Sequence, residues 1–326
     1  MKIYMYDLKD YDEAPIFDIL SREYGYIYDG TPDSPCKENA GWADGCEAVS
    51  VIAHPIPDEV LDKWAEIGVK YLVTRSIGVD HINLKKCREL GIRVGHAQYS
   101  PNSVANYAIM LMLMLCRKIT HILKRSELQD YTVKGKMGRE LSLCRVGVVG
   151  TGRIGKTLIE HLKGFGCEIL AYDIYPNSKV SEMAKYVSLE ELIAQSDIIT
   201  LHAPATEDNY HMIDESAISK MKDGAMIVNV ARGSLVDAEA LIAGLESGKL
   251  GGAALDVLED EGGLYFTDRI GEVIGNHNLA ILESFPNVIV TPHTAYYTEQ
   301  AVSDISKCVF QFIKACEQGE ENSLEV

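Results

Sequence analysis

Short apolar segments alternate with longer amphipathic segments along the whole chain. The first apolar segments read as strands and stand at 2–6, 48–52, 71–74 and 92–94. The segments between them, such as 57–67 and 83–90, have the spacing of helices. This alternation predicts a parallel sheet with crossover helices.

A second series of strands follows a long helical segment. Ser100 and Pro101 supply a helix-start signal, and a helix is predicted from Asn102 to about Lys124, which we expect to act as a hinge. The later strands are nearly continuous runs of Val, Ile and Leu, as in a sheet that is covered on both faces. They stand at 145–149, 168–172, 197–201, 225–230, 252–255 and 288–290. After them, the segment 298–317 again has helical spacing.

Composition narrows the class of protein. A chain of 326 residues suggests two domains, and 47% hydrophobic with 24% charged residues is ordinary for a globular protein. The net charge of −17 argues against a surface for nucleic acid or anionic membranes. The 8 cysteines are scattered without a CxxC pair, and no signal-peptide pattern precedes them. We therefore expect reduced thiols, a cytoplasmic location, no membrane span and no metal site.

A glycine-rich loop follows the strand 145–149. Gly150, Gly152 and Gly155 form a G-x-G-x-x-G pattern that opens a predicted helix, where free N–H groups and the helix dipole stabilise a pyrophosphate. The next strand ends at Asp173, about 20 residues further on, where a carboxylate accepts from ribose hydroxyls. The same carboxylate repels a 2′-phosphate, so the pattern favours NAD over NADP. A glycine turn without a ligand is the alternative.

Three polar residues follow the later strands: Arg232, Glu261 and His293. In an open α/β sheet, ligands bind beyond the carboxyl ends of the strands, which makes these residues candidates for a site. Each also has a plain alternative. Arg232 could form a surface ion pair, Glu261 is one of several neighbouring acids, and His293 could be a turn or core residue.

In these motifs the sequence resembles the D-2-hydroxyacid dehydrogenase family, over nearly its whole length. It is most similar to the D-lactate dehydrogenase branch, which includes the pyruvate reductase of vancomycin resistance. The matching motifs stand at 74–80, 99–102, 150–155, 231–233, 251–256 and 291–300. The resemblance implies two doubly wound parallel-sheet domains of the α/β class and a homodimer. A flavodoxin-like substrate domain would comprise 1–98 and 297–326, with a Rossmann NAD-binding domain inserted at 99–296 and the active site in the cleft between them.

The resemblance also implies roles for individual residues. The catalytic residues would be Arg232, Glu261 and His293. The cofactor contacts would be Gly150, Gly152, Arg153, Ile154, Gly155, Asp173, Ala203, Pro204, Asn209, Val230, Ala231, Arg232 and Asp256. The substrate contacts would be Ile77, Gly78, Val79, Tyr99, Arg232, His293 and Tyr296.

The implied reaction is the reduction of a 2-oxoacid by NADH. A protonated His293 is suited to give a proton to the carbonyl oxygen, and a carboxylate at Glu261 favours the charged imidazole. Arg232 can hold the substrate carboxylate through two parallel N–H bonds.

Substrate choice is less constrained by the sequence. By family position, Ile52, Tyr296 and Tyr297 are expected to line the side-chain pocket, and ordinary core residues are the equal alternative. The two aromatic residues favour a small or apolar substrate side chain over a second carboxylate. Pyruvate is the first candidate, with 2-oxoisocaproate and phenylpyruvate as competitors. His54 is a candidate for a polar contact, although a plain strand-end residue is the favoured alternative. A different class, an NADH-sensing regulator, is less favoured because the possible catalytic residues are all present and no basic or peptide-docking segment is evident.

Overall fold

The computed structural model describes all 326 residues and divides them into two compact units. The first comprises Met1–Ser100 with Tyr297–Val326, and the second is Pro101–Tyr296. The backbone N–H of Ser100 donates to Asp304 Oδ2 at 3.2 Å, in the last helix of the chain. This bond helps to place residues 99 and 100 in the first unit, although the sequence predicted that the second domain begins at 99.

The first unit is built on a sheet of five parallel strands. They are β1 (Lys2–Met5), β2 (Ile27–Gly30), β3 (Ala48–Val51), β4 (Tyr71–Thr74) and β5 (Arg93–Gly95). Their order is β2-β1-β3-β4-β5, the flavodoxin-like order, in which the direction of winding reverses between β1 and β3. Its first three helices are α1 (Ala14–Tyr24), α2 (Asp58–Glu66) and α3 (Leu84–Leu90).

The second unit is built on seven parallel strands. They are β6 (Arg145–Val149), β7 (Glu168–Tyr172), β8 (Lys185–Tyr186), β9 (Ile198–Leu201), β10 (Ala225–Asn229), β11 (Leu250–Leu255) and β12 (Val288–Val290). Their order is β12-β11-β10-β9-β6-β7-β8, which extends the Rossmann order by one strand. The predicted pair of doubly wound α/β domains is thereby confirmed.

Eight helices belong to the second unit, and one more closes the chain. They are α4 (Asn102–Cys116), α5 (Ile119–Glu127), α6 (Arg153–Leu162), α7 (Ser178–Ser181), α8 (Leu189–Gln195), α9 (Glu215–Lys220), α10 (Ala238–Glu246), α11 (His277–Ser284) and, in the first unit, α12 (Glu299–Gln318). Short 3-10 turns stand at Ala40–Ala43, Leu141–Leu143, Lys163–Phe165, Glu207–Asn209 and Gly233–Leu235.

The predicted helix from Asn102 to about Lys124 is wrong in one respect, because it breaks into α4 and α5. Lys118 adopts a left-handed conformation with φ of 52°, and the two helices meet at 61°. Most of α4 is apolar and much of it is buried, whereas α5 has no buried residue, so the two helices have different surroundings. No single helix is long and apolar enough to cross a membrane. Only α4 and α5 taken together have that length and apolar character, and they are bent at the break between them.

Two strands, β2 and β8, were not predicted from the sequence. Both lie at sheet edges, and neither contains a fully buried residue. The central strands, by contrast, are buried along almost their whole length, as β3, β9 and β10 show. Apolar sequence therefore identified the central strands and the edge strands β5 and β12, but it missed the two edge strands that bury no residue.

Candidate active site

The turn after β10 presents Arg232. Asn229, only 1% exposed, folds this turn, since its Nδ2 donates to the Arg232 carbonyl at 2.8 Å and its Oδ1 accepts from Ala231 N–H at 3.1 Å. The turn then passes very close to the segment that follows β11. A Cβ at Gly233 would lie 1.9 Å from the carbonyl carbon of Leu258, so only glycine allows this approach. Sequence reasoning located Arg232 but not the supporting role of Asn229.

His293 and Glu261 form a direct pair in the second unit. His293 Nδ1 lies 2.6 Å from Glu261 Oε1, and the two side chains are 23% and 25% exposed. The other carboxylate oxygen of Glu261 accepts the Leu258 N–H at 2.9 Å. Because Nδ1 faces the carboxylate, Nε2 on the opposite side of the ring is the nitrogen available to a ligand. The arrangement can hold a proton on the ring and orient it.

Asp256 anchors the loop that carries His293. It is fully buried, and its Oδ1 accepts the Thr291 hydroxyl at 2.6 Å and the Thr294 N–H at 2.9 Å. Its Oδ2 accepts the Ala295 N–H at 2.8 Å, while its carbonyl accepts the His293 N–H at 2.8 Å. The cofactor contact expected from the sequence remains a prediction for this residue. The observed partners of its side chain all belong to the loop that carries His293, a role that the sequence pattern did not indicate.

The glycine loop has the geometry that a pyrophosphate requires. Gly150 has φ of 91°, and a Cβ at Gly155 would lie 1.9 Å from the Gly150 carbonyl oxygen, so both positions need glycine. Gly152 caps α6, and a Cβ there would meet no atom within 4 Å. The first turn of α6, with Arg153 and Ile154, therefore begins beside open space where backbone N–H groups can receive an anion.

Asp173 is bound to this loop directly. Its Oδ2 accepts the Thr151 N–H at 2.6 Å and the Thr151 hydroxyl at 3.0 Å, and its Oδ1 accepts the Tyr175 N–H at 2.8 Å. A carboxylate has about four acceptor positions, so capacity remains for a ribose hydroxyl. The loop, the helix start and this carboxylate fit a dinucleotide, and NAD would be held by these residues.

The remaining predicted cofactor residues lie on two loops of the same unit. Asn209 shapes one of them, since its Oδ1 accepts the Thr206 N–H at 2.8 Å and its Nδ2 donates to the Pro204 carbonyl at 2.7 Å. Ala203 is half-buried at the start of this loop. Val230 and Ala231 precede Arg232, and Val230 is only 9% exposed. Their contacts with a cofactor stay predictions.

The predicted carboxylate-binding residues belong to the first unit. Ile77, Gly78 and Val79 follow β4, and no acceptor within the chain takes their N–H groups. Ser76 Oγ donates to the Gly78 carbonyl at 2.6 Å and so fixes the turn. Tyr99 is half-buried in the same unit. These free N–H groups at the carboxyl edge of the sheet suit a small carboxylate.

The three positions expected to line the substrate pocket differ in their surroundings. Ile52 is only 8% exposed, and the Tyr297 hydroxyl donates to Asp12 Oδ2 at 2.5 Å. The ring of Tyr296 stands edge-on to His293 at 6.5 Å. A third aromatic side chain, Phe266, was missed because it lies in an irregular segment without periodicity. Its ring is 5.6 Å from His293 and 40% exposed.

A dinucleotide loop on a Rossmann sheet, in the same unit as a histidine held by a carboxylate, is the arrangement of a nicotinamide-dependent dehydrogenase. Residues 109–295 match the family model described as D-isomer specific 2-hydroxyacid dehydrogenase, NAD binding domain. The chain belongs to this family. It is therefore an NAD-dependent dehydrogenase of D-2-hydroxyacids, as the resemblance implied.

Known relatives cover almost the whole chain. An aromatic 2-oxoacid reductase of Clostridium sporogenes is 46% identical over 94% of this chain and 93% of its own. A D-lactate dehydrogenase of Lactiplantibacillus plantarum is 40% identical over 94% of this chain and 93% of its own. The structure of a D-2-hydroxyisocaproate dehydrogenase superposes with a TM-score of 0.89 at 34% identity and covers 100% of this chain and 99% of its own.

Proposed function

We propose that the chain reduces 2-oxoacids with an aromatic side chain to D-2-hydroxyacids, with His293 as the proton donor. One observation carries the substrate preference. Phe266, an exposed aromatic side chain, lies 5.6 Å from the ring of His293, and Tyr296 stands edge-on to the same ring. An aromatic substituent on the substrate could pack against such rings in offset or edge-to-face geometry.

His293 would give its proton to the carbonyl oxygen of the substrate. When bound, NADH supplies the hydride that is added at C2. Glu261, 2.6 Å from Nδ1, stabilises the positive charge of the imidazolium and keeps Nε2 directed towards the substrate. Proton transfer and charge stabilisation are thus divided between two side chains.

Arg232 would bind the substrate carboxylate and polarise the ketone. A guanidinium offers parallel N–H donors to a planar carboxylate, a geometry that Lys cannot reproduce. Ile77, Gly78 and Val79 would supply backbone N–H groups to the same carboxylate, with the hydroxyl of Tyr99. The unsatisfied N–H groups after β4 support this role.

Pyruvate is a second candidate substrate. It was the first expectation from the sequence, and the relative from Lactiplantibacillus plantarum is named a D-lactate dehydrogenase. A homodimer and a cytoplasmic location also remain expectations from the family resemblance. Light scattering of the purified chain tests the dimer, which would give twice the mass of one chain.

The substrate proposal is tested by NADH oxidation with phenylpyruvate, 2-oxoisocaproate and pyruvate, followed by chiral chromatography of the products. We expect the highest kcat/KM with phenylpyruvate and a product of D configuration. A higher kcat/KM with pyruvate would overturn the aromatic preference. Absence of turnover with every acid would favour the NADH-sensing alternative.

A further inference from the structure

A histidine and a buried carboxylate form a pair in the first unit that the mechanism above does not use. Asp7 follows β1 and His54 follows β3, the two neighbouring strands between which the winding of this sheet reverses. In open sheets of this order, ligands bind beyond the carboxyl ends of the strands at that reversal. The pair therefore stands where the topology creates a crevice.

Asp7 is fixed by several contacts. It is only 6% exposed and adopts a left-handed φ of 54°. Its carboxylate accepts the Ser34 hydroxyl at 2.5 Å and the Ile52 N–H at 3.2 Å. Burial raises the pKa of Asp7, but hydrogen bonds from His54 and Ser34 outweigh it, so the pKa lies below its ordinary value. The carboxylate is ionised and in a defined place.

A buried arginine holds the backbone at this point. The Arg75 side chain is fully buried, and its Nη2 donates to the carbonyls of Tyr6 at 2.7 Å and Asp7 at 3.0 Å. Its Nε donates to Glu13 Oε1 at 3.0 Å, so its charge is paired. The conformation of Asp7 is therefore held by the fold and is not that of a mobile loop.

The orientation of the His54 ring follows from these contacts. Its Nδ1 lies 3.0 Å from Asp7 Oδ1 and 3.1 Å from Ser34 Oγ. Since an ionised carboxylate only accepts, Nδ1 carries a proton towards Asp7. Nε2 lies on the other side of the ring, no group of the chain bonds to it, and the side chain is 24% exposed. One nitrogen is thus fixed and the other is available to a ligand.

The segment with His54 runs beside the proposed carboxylate-binding turn. The Ile56 N–H donates to the His81 carbonyl at 3.1 Å, and the Arg75 N–H donates to the Val51 carbonyl at 2.8 Å. These bonds join the end of β3 and the segment after it to the segment that contains Ile77–Val79. A substrate held there by its carboxylate would extend its side chain along the same edge of the sheet.

We propose that His54 determines substrate specificity by contacting, through Nε2, a hydroxyl group at the far end of the substrate's side chain. The inference rests on the proposed function and refines its substrate class to hydroxyphenyl 2-oxoacids. A hydroxyl suits either state of the ring, because it can donate to a neutral Nε2 and accept from a charged one. A second carboxylate would be bound only by the charged ring.

The test compares 4-hydroxyphenylpyruvate with phenylpyruvate, which differ only in the hydroxyl. We expect wild-type kcat/KM to be higher for the hydroxylated acid, and His54→Leu to lower the ratio of the two values about fivefold, as for the loss of one hydrogen bond. His121→Leu makes the same exchange in α5 of the other unit and should leave the ratio unchanged. Circular dichroism establishes that each variant is folded.

Asp7→Asn is a second variant for the same test. Asn tolerates the left-handed conformation and keeps the shape of the side chain, but it loses the charge that fixes Nδ1. We expect the ratio to fall in the same direction. An unchanged ratio in both variants, or a wild-type ratio of one or below, would overturn the role of His54. Absence of wild-type turnover with both acids would instead overturn the proposed function.

Discussion

Both carboxylate oxygens of Glu259 lie 2.9 Å from Nε2 of His211. The backbone N–H of His211 also donates to the Ser234 carbonyl at 2.8 Å, in the 3-10 turn that directly follows Arg232. Glu259 stands two residues before Glu261. The His211 contact therefore connects the turn that presents Arg232 with the turn that directs Glu261 to its partner.

Glu259→Gln should lower kcat about tenfold and change KM for NADH little. The neutral amide weakens the contact with His211, so the turn that positions Glu261 becomes less fixed. The measurement is steady-state NADH oxidation in wild-type and Glu261→Gln backgrounds. If Glu259 acts through Glu261, Glu259→Gln should lower kcat little further in the Glu261→Gln background. If the double variant loses kcat by the product of the two single losses, the two residues act independently.

Asp256→Asn should reduce both turnover and stability. The amide replaces one carboxylate oxygen with a donor, which faces backbone N–H groups or a hydroxyl, and an unsatisfied buried donor costs about 1–3 kcal/mol. Urea unfolding should show a loss of this size, and kcat should fall because the His293 loop is less fixed. A stable variant with normal turnover would contradict the anchoring role.

Asp173→Ala should shift cofactor use towards NADPH. The substitution removes the negative charge that repels a 2′-phosphate and the acceptor for a ribose hydroxyl. The ratio of kcat/KM for NADPH to kcat/KM for NADH should rise at least tenfold. We expect kcat/KM for NADPH to increase and the KM for NADH to increase. Glu168→Ala, at the exposed start of the same strand, is the matched control. A ratio equal to that of the control would exclude this role.

His202 should make folding sensitive to acid. Burial lowers the pKa of His202 to about 3, whereas the unfolded chain has a value of about 6.5. Below about pH 6.5 the unfolded state binds a proton that the folded state does not. The free energy of unfolding therefore decreases as the pH is lowered, until the pH reaches the pKa of His202 in the folded state. By about pH 5 the loss is at most about 2 kcal/mol.

His202→Asn removes this titration. Urea unfolding between about pH 7 and pH 5 should therefore show a smaller loss of stability in the variant than in the wild type. The comparison uses the change with pH within each protein, so any constant effect of the substitution cancels. An equal change of stability with pH in both proteins would contradict this account, because it would mean that His202 binds its proton as readily in the folded state as in the unfolded chain.

The sequence predicted the central strands because these depend on local signals, whereas the nested order of the two domains was an expectation from the family resemblance. Continuous apolar runs identified strands such as β9 and β10, and the glycine pattern identified the loop before α6. The break at Lys118 was not predictable in this way. It depends on a single left-handed residue between two helices with different surroundings.

In the candidate site, too, some residues could be predicted from local sequence and others could not. Arg232, Glu261 and His293 could be selected from their positions after strands and from family motifs. The supporting contacts could not, since Asp256 binds residues 35 or more positions away and Glu259 binds a residue 48 positions away. Phe266 lies in a segment without periodic pattern. Such partners are brought together only by the tertiary fold.

Catalysis by His293 is tested most directly with His293→Asn, which keeps a polar side chain but cannot donate a proton as imidazolium. Two quantities are measured, the rate of phenylpyruvate reduction and the affinity for NADH by fluorescence titration. We predict a fall in kcat of about a thousandfold, within the range for loss of a general acid, with NADH affinity nearly unchanged. Turnover within tenfold of wild type would contradict the account.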